Sequence, residues 1–141
     1  MHNKKRKGIS PVIATVILIA IAVAIAIAVA FWAAGLTGAF TRFEKLEISS
    51  AYANSASEVV INVRNTGSSD ATITDIFVNG KPLLQFDTAA TPDVTLPLPL
   101  VSGASDTITI TFGTDLVSGV TYDFKIHTAS GTDYPKAVVV P

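Results

Sequence analysis

The sequence contains no cysteine. A disulfide framework, a thiolate metal site and a cysteine nucleophile are therefore excluded. Histidine is scarce: His2 lies in the first eight residues, and His127 stands alone after them. Charge is absent between Lys7 and Arg42. No Asn-x-Ser/Thr sequon occurs, since Asn54, Asn62, Asn65 and Asn79 all fail the pattern, so any glycan must be O-linked. A basic balance is missing too. The formal net charge is −1, and without Lys4, Lys5, Arg6 and Lys7 six bases face eleven acids, leaving −5. That balance gives no electrostatic reason to expect nucleic acid as a partner.

What the chain has instead is one long apolar run. Residues 9–34 read ISPVIATVILIAIAVAIAIAVAFWAA, in which only Ser10 and Thr15 carry hydroxyls. Val12 to Ala34 would span about 35 Å as a helix, enough to cross a bilayer. The preceding residues 1–8 read MHNKKRKG, with charge on that end only. This asymmetry keeps the N-terminus cytoplasmic and sends the rest across. Three fates are open. A secretory signal would be cut near Ala33-Ala34-Gly35, although the run exceeds the usual apolar core of such signals. A permanent anchor would keep everything. A cut between Gly8 and Ile9 would remove only the basic leader. Gly8, without a side chain, lets a protease approach the backbone. The bases hold that bond at the cytoplasmic surface. Pro11 suits a first helical turn, and Ser10 suits its N-cap.

Lys-Arg-Lys-Gly followed by Ile-Ser-Pro-Val-Ile-Ala-Thr resembles the start of archaeal type IV pilin precursors, which carry class III signal peptides and are related to archaellins. The resemblance covers residues 4–34 closely and the rest in general plan. It implies that a membrane-embedded aspartyl prepilin peptidase cuts the Gly8–Ile9 bond, with Lys4, Lys5, Arg6 and Lys7 as leader charges. It also implies that an ATP-driven membrane platform extracts the subunit, whose helices then bundle in a helical homopolymer at the cell surface. Bacterial relatives carry a glutamate at the fifth mature position, where this chain has Ile13. A salt bridge from that position to a neighbour's N-terminus is therefore unavailable. Archaellins often have an acidic residue nearby as well, and its absence favours an adhesive-type pilin.

Residues 19–30 alternate Ile or Val with Ala. Alternation usually signals a strand, but both sets are apolar and specify no wet face. A lone strand in lipid would leave its backbone unpaired, so a helix is expected. At about 100° per residue, Ala20, Ala24 and Ala28 fall on one side, and Ala22, Ala26 and Ala30 on roughly the opposite side. Each row is a small-xxx-small track that lets another helix approach closely. A generic transmembrane segment would also be rich in alanine. Phe31 and Trp32 fit an interfacial position. Gly35 and Gly38 mark a hinge or the helix end, and Arg42–Glu47 could add one or two turns. The predicted domains are thus a leader at 1–8, a helix at 9–45 and an outer domain at 46–141.

From Leu46 onward the period becomes two. Strands are predicted at Glu58–Arg64, with Val59, Ile61 and Val63 inward, and at Ala71–Val78, with Ile73 inward. A turn is expected at Asn65–Asp70 between these strands, and a tight turn at Asn79-Gly80. Pro82, Pro92, Pro97 and Pro99 exclude a central strand through most of 81–101. Further strands follow at Asp106–Phe112, with Ile108, Ile110 and Phe112 inward, and at Val120–Ile126, with Val120, Tyr122, Phe124 and Ile126 on one face. Ala137–Val140 closes the chain. About seven short strands at this spacing indicate an all-β, immunoglobulin-like sandwich, giving an α+β chain overall. The segment VVINVRNTGSSDATITDIFVNGK is similar to a stretch common in archaeal pilins and archaellins. Ser and Thr supply 23 of the 100 residues after Thr41, as sheet surface or as attachment points for O-linked sugar.

No catalytic, cofactor or metal constellation is visible. His127 reads as a surface or rim residue. Asp70, Asp87, Asp93, Asp106, Asp115 and Asp133 are scattered through turn-like sequence rather than paired. Tyr134–Pro141 reads as an edge strand, with donor-strand exchange between subunits as one option. The expectation is a pilus subunit: held in the cytoplasmic membrane as a precursor, extracellular once assembled, and serving attachment, cell contact or virus reception. Its rivals are an archaellin and a membrane-anchored binding protein that never polymerises.

Overall fold

The computed structural model describes residues 9–141; the leader bases Lys4–Lys7 and Gly8 lie outside the described residues. The chain divides into two compact units after Thr41.

The first unit is helix α1, Ile9–Thr41, 33 residues and about 50 Å long. Ile and Val are mediocre helix formers in water. In an apolar medium that preference gives way, because only a helix pairs every backbone group within one segment. Pro11 sits in the first described turn, where the missing N–H costs nothing. Ser10, expected as the cap, lies inside the helix. Gly35 and Gly38 do not end it. The predicted continuation to residue 45 does not occur. Residues 42–45 are irregular, because the backbone of Phe43 and Lys45 is bonded to the turn at 66–69 instead.

The second unit is an immunoglobulin-like antiparallel sandwich. In chain order it contains β1 (Leu46–Ser55), β2 (Glu58–Asn65), β3 (Ala71–Val78), β4 (Lys81–Pro82), a one-turn helix α2 (Leu83–Phe86), β5 (Thr91–Pro92), β6 (Leu98–Leu100), β7 (Ser105–Thr111), β8 (Thr121–Thr128) and β9 (Asp133–Val139). One sheet runs β1-β2-β7-β5; the other runs β4-β3-β8-β9, with β6 also paired to β3. The proline-rich stretch contributes only β4, β5 and β6, fragments of two or three residues at sheet margins. A prolyl nitrogen cannot donate to a ladder, so nothing longer persists there.

The predicted inward faces of β2 and β7 meet in register, Val59 opposite Ile110 and Ile61 opposite Ile108, and all four are fully buried. Phe112, Tyr122, Phe124 and Ile126 join them. Phe86 meets the rings of Phe112 and Tyr122 edge-on at 6.2 and 6.0 Å, and Phe112 meets Phe124 in the same way at 6.2 Å. Val120 departs from prediction. It belongs to the turn before β8 and is 41% exposed. A register shift between Ile73 and Asp75 explains why β3 shows only one clear inward residue in sequence. Ala71 and Ile73 face the core before the bulge, and Ile76 and Val78 after it. Asn79 and Gly80, with φ of 49° and 79°, form the expected tight turn.

Candidate functional site

Two regions hold the residues singled out above: helix α1 and the outer surface of the sandwich. On α1 the side chains that the structure describes are exposed, and none is charged. Its threonine hydroxyls are turned back on the helix. Thr15 Oγ1 donates to the Val12 carbonyl at 2.7 Å, and Thr37 Oγ1 to that of Ala33 at 2.9 Å. Both hydroxyls are thereby satisfied without water, as a lipid or helix-bundle environment requires. Ile9 opens the helix. Helical winding puts Ala20, Ala24 and Ala28 on one face and Ala22, Ala26 and Ala30 on another about 200° away. Among the described residues, nothing beyond the adjoining residues and turns of the helix's own backbone lies within 4 Å of a Cβ built at Gly35 or Gly38. The helix is long and apolar enough to cross a membrane.

On the sandwich the scattered carboxylates hold turns. Asp87 Oδ2 accepts the N–H groups of Gly113 and Thr114 at 2.8 and 2.9 Å, and its Oδ1 accepts that of Ala89 at 3.0 Å. These amides, Thr114 foremost, hold its carboxyl below the ordinary 3.8. Asp70 takes the Ser102 amide and Asp93 takes that of Thr109. His127 sits on the outer face of β8, where its Nδ1 lies 2.6 Å from Asp133 Oδ1. Lys125 Nζ lies 3.3 Å from the other Asp133 oxygen and 5.4 Å from the centre of the Phe77 ring. The His127 hydrogen bond, with a smaller share from Lys125, lowers the Asp133 pKa. This is a half-exposed cross-strand cluster. Among the described residues, no three His, Asp or Glu side chains gather closely enough to hold a metal ion. A cleft of about 380 Å³ beside β3 is lined mainly by Leu83, Leu84, Leu96 and Ile76, and Asp75 is its only charged wall.

The C-terminal strand β9 does lie at a sheet edge. Its neighbour across the gap between the sheets is β1, with Cα–Cα separations of 8 Å or less.

Sequence reasoning missed the most heavily bonded polar feature, the turn at 65–69. Asn65 is fully buried. Its Nδ2 donates to the Ser69 and Leu100 carbonyls, each at 2.9 Å, and its Oδ1 accepts the Gly67 N–H at 2.9 Å. The signal was present as Asn-Thr-Gly-Ser-Ser, but it read only as a turn.

No protein-family model matches the sequence, and no curated protein matches it. Among solved structures, the chain is similar to the archaellum periplasmic stator protein FlaG from Sulfolobus acidocaldarius, at 21% identity and a TM-score of 0.53, over 67% of this chain and 99% of that one. It is also similar to the FlaF and FlaG stator complex from the same organism, at 21% identity and a TM-score of 0.51, over 67% of this chain and 89% of that one. The shared property is the fold, an immunoglobulin-like sandwich.

Proposed function

We propose that this chain is a structural subunit of an archaeal type IV pilus, polymerising through α1 into a surface filament for adhesion or cell contact. The observation that carries the reading is the length and uniformity of the helix. A bilayer core of about 30 Å needs about 20 residues. Helix α1 has 33 and presents no polar face. A helix apolar all round is stable in lipid or within a protein core, and this one suits both in turn. In this reading a prepilin peptidase removes residues 1–8 at Gly8–Ile9, and a membrane platform with its ATPase lifts the mature chain into the filament. The two alanine tracks then face neighbouring helices, and the sandwiches coat the outside. The reading includes no enzymatic activity and no cofactor.

A second reading has a specific observation behind it. The sandwich resembles a protein described as a periplasmic stator of the archaellum. On that reading α1 anchors the chain in the membrane and the sandwich works as a fixed part of a surface machine. One experiment separates the two. Filaments are sheared from cells, and the chain is quantified in the sheared and membrane fractions with its N-terminus sequenced. The pilin reading expects the chain as the main sheared component, beginning at Ile9. Retention of the whole population in the membrane fraction overturns it in favour of the anchored reading.

A further inference from the structure

Only 42–45 connect α1 to β1. A connector of this length would normally be solvated and loose. Here its backbone is bonded on both sides of Glu44. The Phe43 N–H donates to Ser68 Oγ at 3.0 Å, and the Phe43 carbonyl accepts the N–H groups of Ser68 and Ser69 at 3.0 and 3.1 Å. The Lys45 carbonyl accepts those of Thr66 and Gly67 at 2.9 and 3.0 Å. Gly67 makes the approach possible. A Cβ there would lie 2.6 Å from both the Lys45 nitrogen and the Phe43 oxygen, backbone atoms that cannot swing aside.

The turn is itself fixed from behind. Asn65 bonds it to the Leu100 carbonyl. Ser102 Oγ donates to the Gly67 carbonyl at 2.6 Å, and Asp70 holds the Ser102 amide at 3.0 Å. The connector is thus fastened to the turn between β2 and β3, which β6 and the segment before β7 hold in place, rather than to β1 alone.

We propose that the 65–69 turn is a mechanical clamp on the connector, so that a pull on the helix is resisted there before it can peel β1 from β2. The inference rests on the reading that α1 is held by neighbours or membrane while the sandwich is exposed to drag. It applies to the filament and the anchored forms alike. Loose chain at 42–45 would let tension enter at Leu46, the first residue of an edge strand. Peeling an edge strand breaks its ladder one bond at a time. The clamp instead puts several backbone bonds in the path.

The chain supplies its own probe, because Arg42 and Lys45 are exposed tryptic sites within the connector. The full chain in detergent micelles is digested with trypsin, and cleavage after Arg42 and Lys45 is followed by mass spectrometry. In the native chain both bonds should resist. Gly67→Ala should speed their cleavage by about tenfold or more, with cleavage after Lys125 and Lys136 unchanged. Should Gly67→Ala unfold the sandwich, exposing those distant sites too, the pair Ser68→Ala and Ser102→Ala weakens the clamp without a steric clash and should give the same selective effect. Native cleavage as fast as in a free peptide of the same sequence overturns the proposal, as does a clamp variant with unchanged cleavage. Pulling tests the mechanical claim directly. The chain lacks cysteine, so Phe40→Cys gives a single handle, with a C-terminal tag as the other. The unmodified clamp should show no lengthening before the sandwich unfolds, whereas Gly67→Ala should first release about 14 Å, four residues of chain. An early release in both overturns the clamp. Because all these measurements use the monomer, a failed clamp is distinguishable from a failed filament reading.

Discussion

Replacing Asn65 by alanine should destabilise the sandwich by about 3–5 kcal/mol, a value that follows from its partners one by one. The side chain is fully buried and makes three hydrogen bonds, each of 2.9 Å. The Gly67 N–H loses one acceptor but keeps the Lys45 carbonyl at 3.0 Å, so it is not orphaned. The Ser69 carbonyl lies in a partly buried setting, where water can replace the lost donor. The Leu100 carbonyl is buried, and its lost partner costs the most, about 1–3 kcal/mol. The two lesser losses add about 1 kcal/mol between them, and the void left by the amide adds a similar amount. The assay is urea and thermal unfolding of residues 42–141, with an unchanged urea slope as the check that the same transition is being measured. For a domain of this size the expected loss lowers Tm by roughly 20 °C. Asn65→Asp isolates the hydrogen bonds from the volume. It keeps the size and the acceptor, loses both donors and places a carboxylate against two carbonyl oxygens, so it should be at least as harmful. A loss under about 1 kcal/mol for alanine, or a milder effect for aspartate, would refute the view that the amide N–H groups hold this turn.

Phe124→Ala, at a fully buried ring stacked edge-on against Phe112, should cost about 3–5 kcal/mol in the same unfolding assay. The carboxyls of Asp87 and Asp133 are both held below 3.8, so the unfolded chain takes up their protons first on acidification. Their stabilising share is complete above that value and is lost as pH falls through the depressed folded values; Tm measured from pH 5 down to 2 should drop, and Asp87→Asn should flatten part of the slope. Leucine at Ala20, Ala24 and Ala28 together fills one helical track while leaving the segment apolar. Membrane insertion should be unchanged and recovery of chain in sheared filaments should fall at least about tenfold; equal recovery contradicts the packing role of that face.

The long helix and the inward faces of β2 and β7 were legible because one strong period governs each. Val59, Ile61 and Val63 alternate without interruption, and their partners Ile108 and Ile110 do the same. Strand β3 was half legible. Its bulge shifts the inward set from Ala71 and Ile73 to Ile76 and Val78, and a period of two cannot show its own interruption. Val120 misled because the alternation of β8 runs one residue past the strand into its turn. The connector was misread for another reason. Arg42, Phe43, Glu44, Lys45 and Glu47 are compatible with helix by local preference. What ends the helix is a set of donors contributed by residues more than twenty positions away. Local propensity loses to such tertiary hydrogen bonds, and a single sequence does not reveal them.

The helix poses a question that its membrane role alone does not answer. Crossing a bilayer accounts for about 20 residues, which leaves about a dozen of the 33. A lone anchor can tilt to shorten its span, but absorbing this surplus wholly by tilt would need about 50° from the membrane normal, beyond the usual range of about 0–40°. It can also project into water, where Phe40, on the last turn, would stay exposed with no polar face beside it. Selection for anchoring would more economically shorten the run or place charges near Leu36. Neither is present: the next charge is Arg42, where the helix has already ended. In the proposed filament, copies of the same helix would cover the whole length at once, including the portion that lipid cannot reach. Close approach of those copies requires small residues on more than one side, which is what Ala20, Ala24 and Ala28 provide on one face and Ala22, Ala26 and Ala30 on the other. Surplus length and paired tracks are independent features of the sequence, and the proposed assembly would account for both.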